Sequence, residues 1–94
     1  MSTVLRLDFT VSTPPIEALA RFAARADELF AAHGFEVEGR GRDWAHWTAG
    51  DQVVRAYLFM NHDLFDEGPG ISLTGPLPAV LAQRLSGLAA ELFG

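Results

Sequence analysis

Cysteine is absent from this chain of 94 residues, which excludes disulfide staples, thiolate nucleophiles and cysteine-held metal centres. Lysine is absent too, so all seven basic residues are arginines, set against twelve acids for a formal net charge of −5. That balance lacks the basic footprint that phosphate backbones and anionic membranes attract, so neither direct nucleic-acid binding nor membrane attachment is expected. Long apolar runs are also missing. The longest uninterrupted one, residues 56–60, has five members, where a spanning helix needs about twenty. Residues 1–8 have no basic stretch ahead of an apolar one, so no signal peptide is expected. The resulting expectation is a soluble cytoplasmic protein.

What the chain does have is a globular share of apolar residues, 49%, enough for a single core spanning residues 1–94 as one domain. Residues 4–11 alternate, with Leu5, Leu7, Phe9 and Val11 on one side, the pattern of a half-buried strand. Ser12, Thr13, Pro14 and Pro15 then open a helix. Its apolar stripe is Ile16, Leu19, Phe22, Ala23, Ala26 and Phe30, its end His33, its stop Gly34. Residues 35–38 give a second strand, and Gly39-Arg40-Gly41-Arg42 reads as the turn that follows, its arginines solvated. A third strand covers residues 43–49, a fourth runs from residue 52 to about residue 60, and residues 70–74 add a short fifth. The last helix follows Gly75-Pro76-Leu77-Pro78, with a seam of Leu77, Leu81, Leu85, Leu88 and Leu92. Gly87 within it weakens the helix by about 1 kcal/mol relative to alanine, tolerable if the helix packs closely against a neighbour there. The order β-α-β-β-β-(β)-α implies an α+β two-layer sandwich: a mainly antiparallel sheet of four or five strands, with both helices on one face.

The third and fourth strands carry the most information. A two-residue loop at Gly50-Asp51, with the Gly-first chemistry of a II′ turn, sets Trp47 opposite Val54, His46 opposite Arg55 and Trp44 opposite Tyr57. One side of the hairpin is then wholly apolar: Ala45, Trp47, Val54, Ala56, Leu58 and Met60. The other mixes aromatics with polar groups: Trp44, His46, Thr48, Val53, Arg55, Tyr57 and Phe59. Aromatics in such number on the solvent side of a sheet mark a contact surface.

No catalytic constellation accompanies it. His46 faces a cation, without a carboxylate to orient it or a nucleophile to activate. His33 reads as a helix-end residue. The loop at residues 61–70 carries His62, Asp63, Asp66 and Glu67, but not the spacing of a calcium loop or a zinc helix. No metal and no cofactor are expected, and no enzyme. Phe65 at the tip of that acidic loop fits a docking element instead. The expected function is therefore a small, acidic, non-enzymatic protein-binding module, an inhibitor, immunity-type protein or phage-encoded antagonist. Its partner is expected to be basic, nucleic-acid-binding proteins among the candidates. The contact would use Trp44, His46, Arg55, Tyr57, Phe59, Asp63, Phe65, Asp66 and Glu67. The alternative is a homodimer packed through the open sheet face, with room for a small ligand between the copies.

Overall fold

A computed structural model describes residues 3–8, 14–59 and 70–93. The elements in chain order are β1 (Thr3–Asp8), α1 (Pro15–Ala32), β2 (Glu36–Arg40), β3 (Trp44–Ala49), β4 (Gln52–Phe59), β5 (Gly70–Gly75) and α2 (Ala79–Phe93). The strands form one five-stranded sheet, ordered β1-β5-β4-β3-β2, in which every neighbouring pair is antiparallel. Strands β2 to β5 are thus a meander, and β1 returns to pair with its last member. Helix α1 carries the chain from the β1 edge to the β2 edge, and α2 lies antiparallel beside it, with Phe22 of α1 meeting Phe93 at the far end of α2. The α+β sandwich expected from the sequence is the observed architecture.

Helix α1 buries Ala18, Leu19, Phe22, Ala23, Ala26 and Phe30. Alanine at three of these positions lets the helix axis lie close to the sheet, while the large rings fill the gaps between. Ile16, although in phase with the stripe, is exposed. The N-cap is Pro14, with no side-chain hydrogen bond, and Ser12 and Thr13 lie outside the described residues. The helix ends in a complete Schellman closure. Gly34, at φ 82°, donates to the Ala31 carbonyl, and Phe35 donates to Phe30 at 2.9 Å. The apolar contact that goes with this motif is the Phe35 ring set edge-on against Phe30, centroids 5.5 Å apart. Phe35 thus belongs to the closing motif of α1, whose C-cap is His33, and β2 begins at Glu36.

Strand β2 also runs further than the sequence implies. Glu36 pairs with Thr48 and Val37 with Trp47, then the register jumps so that Gly39 pairs with His46 and Arg40 with Ala45. Glu38 is the extra residue of a bulge. One inserted residue reverses the alternation, which is why the strand's second half looks like turn sequence. Arg40, expected in solvent, instead points to the helix side and pairs with Asp27 of α1.

The core is continuous between sheet and helices. Trp47, Phe22, Phe30, Leu19, Ile71, Leu73, Leu81, Leu85 and Val54 are its largest fully buried side chains. Leu7 and Leu88 are buried, Leu58 packs on the edge of the cluster, and Leu77 is buried just before α2 begins. Phe9 and Met60 lie outside the described residues. A Cβ at Gly87 would meet nothing within 4 Å, so close packing is not the reason for that glycine. Phe30 is touched by Trp47 on one side and Phe35 on another. Phe30→Ala should therefore cost about 3–5 kcal/mol in urea unfolding. An unmoved midpoint would show that α1 does not seat on the sheet at this point.

Candidate functional site

The β3–β4 hairpin forms in the expected register, from Ala49 opposite Gln52 to Trp44 opposite Tyr57. Gly50 has φ 61° and Asp51 has no positive φ, the sign pattern of a II′ turn. Its helix-side face is closed: Ala45, Trp47, Val54 and Ala56 are all 0% exposed. Trp44, His46, Arg55 and Tyr57 consequently share the opposite face, which no described element covers.

Neighbouring strands complete this open face. Thr74 and Val4 continue the row that begins at His46 and Arg55, and Ser72 and Arg6 continue the row of Trp44 and Tyr57. The backbones of Asp8 and Phe59 both pair with Gly70, and nothing further is described of their side chains. Arg55 sits on β4, the middle strand.

Trp44, His46 and Tyr57 form a packed group. The Trp44 and His46 rings are 4.6 Å apart at a tilt of 47°, and His46 meets Tyr57 edge-on at 5.7 Å. The Nε2 of His46 and the Tyr57 hydroxyl are 3.2 Å apart, a hydrogen bond between diagonal rather than directly opposed residues. The pair can be wired in two ways. With Nε2 as acceptor, the hydroxyl donates and the His46 Nδ1–H stays unused. With Nε2 as donor, the hydroxyl hydrogen stays unused. One donor is left over in either arrangement.

The indole of Trp44 has a dedicated seat, built by residues that sequence reasoning took for turn punctuation. A Cβ on Gly39 would stand 3.0 Å from Cη2 of Trp44, and one on Gly41 only 1.9 Å from its Nε1. The ring therefore lies across the backbone of both glycines. Gly41 is held there by its own N–H, which donates to the Trp44 carbonyl at 2.9 Å. The available signal was the pair of glycines one residue apart, close ahead of a tryptophan, at the mouth of a hairpin.

Electrostatically the face has a cationic centre at Arg55, an acidic rim on its β2 side and Arg6 on its β1 side. Arg55 is exposed and makes no ion pair or hydrogen bond among the described residues. The exposed acids Glu36, Glu38, Asp43 and Asp51 lie towards the β2 edge and the hairpin ends. Tyr57 is 44% exposed, while Trp44 and His46 are partly covered by one another. The remaining expected contact residues, Asp63, Phe65, Asp66 and Glu67, lie outside the described residues. Among the described residues, no cluster of three or more His, Asp or Glu side chains could hold a metal ion. Among the described residues, no helix is long and apolar enough to cross a membrane.

The glycine seat makes a specific prediction. Gly41 has an ordinary backbone φ, so alanine there strains nothing except the Trp44 ring. Gly41→Ala should cost about 1–3 kcal/mol in chemical unfolding. In a Trp44→Ala background the same change should cost close to nothing, because the two residues act as one unit. An equal cost in both backgrounds would mean that Gly41 serves the turn and not the indole.

No family model, curated protein or solved structure matches this chain.

Proposed function

We propose that this protein is a non-enzymatic protein-binding module, of inhibitor or immunity type, whose contact surface is the open face of the sheet. The observation that carries the reading is the packed Trp44–His46–Tyr57 group beside Arg55, which has no partner among the described residues, on the side away from both helices. Tryptophan, tyrosine and arginine are the side chains that most often dominate binding energy, since each joins a large area to a polar handle. Here they stand on paired strands, with Trp44 fixed in its glycine seat, so little rotamer freedom remains to be lost on binding. The net charge of −5 and the rim acids Glu36 and Glu38 favour the approach of a basic partner surface. A phage-encoded antagonist of such a protein is one form that this activity would take, with Asp63, Phe65, Asp66 and Glu67 as further contact residues.

The second reading, a homodimer through this face, draws on Val4, which is 63% exposed and extends the apolar surface to the β1 edge. Sedimentation at micromolar concentration separates the two, because a tight dimer would hide the face that a partner needs.

In a monomer, side chains on an uncovered face contribute little to folding. The double variant Arg55→Ala with Tyr57→Ala should therefore change stability by less than about 1 kcal/mol. The same variant should weaken partner binding by about tenfold or more. Severe unfolding of this variant in a monomeric protein would show that the face is structural.

A further inference from the structure

We infer that the partner places a carboxylate, an Asp or Glu side chain on a protein segment lying across the sheet, against Arg55 and the His46–Tyr57 pair. This deepens the protein-binding reading and rests on it. Three observations converge on the inference. First, Arg55 has no counter-ion or acceptor among the described residues, although it stands on the middle strand of the sheet. Covered by a partner without an acceptor, it would become a buried unpaired charge, which is strongly unfavourable. Whatever covers this face must bring an acceptor, and an anionic one also balances the charge.

Second, the groups around Arg55 are donors or neutral. Its cross-strand neighbours are His46 on β3 and Thr74 on β5, and Val53 and Tyr57 flank it along β4. The His46–Tyr57 pair keeps one unused N–H or O–H in either tautomer, and the Thr74 hydroxyl supplies another. A carboxylate has two oxygens to receive the guanidinium fork, with lone pairs left for those donors.

Third, the alternative occupants fit less well. Two copies stacked face to face about an axis through the middle strand would bring Arg55 against its own counterpart, with like charges desolvated together. A nucleic acid would present phosphates to Arg55, but its chain would then run over the acidic rim of Glu36, Glu38 and Asp43. A protein segment can carry one acid at the centre and neutral or basic groups over that rim. The opposite signs of rim and centre select such a segment, with the rim steering approach and the centre anchoring it.

The test is selection of a random peptide library displayed on phage against the intact protein, followed by titration of the strongest peptide. The expected result is a set of peptides that share an Asp or Glu and that lose binding to the Trp44→Ala and Tyr57→Ala variants. Arg55→Gln should weaken the selected peptide by about tenfold, and so should changing the peptide's acid to its amide. The two losses should not add, because they remove one interaction from opposite sides. Peptides that need Trp44 and Tyr57 but share no acid, or whose loss adds to that of Arg55→Gln, would overturn the carboxylate inference while leaving the protein-binding reading intact. Failure to select any peptide dependent on Trp44 and Tyr57 would overturn both. So would binding of an oligothymidylate at these residues, or a dimer in sedimentation that closes the face.

Discussion

Trp47 lies flat on Phe30, ring centroids 4.1 Å apart and 11° from parallel, and its indole Nε1 donates to Asp27 Oδ1 at 2.8 Å. That seat decides which way the β3–β4 hairpin faces. Successive strand residues alternate sides, so committing Trp47 to the helices also commits Ala45, and it sends Trp44 and His46 outward. The same carboxylate oxygen accepts from the Arg40 guanidinium, which draws the second half of β2 towards α1 across the bulge at Glu38. One half-buried acid thus satisfies the only polar atom of the largest core side chain and anchors an edge strand. A hydrogen bond to a charged group is worth about 1.5–3 kcal/mol, and an unpaired indole N–H in the core would cost a similar amount. Asp27 is the polar complement of an otherwise apolar core.

The open face follows from that commitment. Among the described residues, the core beneath has no buried side-chain nitrogen or oxygen left unpartnered. Gly39 and Gly41 make a flat bed for the Trp44 ring, and the ring in turn leans on His46, which is tied to Tyr57. Folding therefore arranges a row of ordered rings at the surface, next to an arginine whose charge the described residues do not balance. Fixing these side chains before a partner arrives lowers the entropy cost of binding them.

Much of this was legible in the sequence, for reasons that can be named. Gly50-Asp51 sets the hairpin loop at two residues, and that length sets every cross-strand pair from Ala49 and Gln52 to Trp44 and Tyr57. The stripes of α1 and α2 follow from helical spacing. What escaped was non-periodic. The bulge at Glu38 reverses the alternation within β2, so Gly39 and Arg40 passed for a turn and Arg40 for a solvated charge. Asp27 sits beside Ala26 in the buried stripe, and only the fold reveals that it reaches both Trp47 and Arg40. The His46–Tyr57 bond is diagonal, which direct cross-strand pairing does not disclose. Spacing alone does not tell a glycine that turns the chain from one that makes room for an indole.

The orientation of the hairpin is the claim on which the core, the open face and the proposed contact all depend. It is tested most directly by hydrogen exchange at the two indole N–H groups, each assigned by replacing its tryptophan with phenylalanine. The Trp47 proton, buried and bonded to Asp27, should exchange only through opening of the structure, many times more slowly than the Trp44 proton at the surface. A protected Trp44 proton beside a freely exchanging Trp47 proton would mean that the hairpin faces the other way.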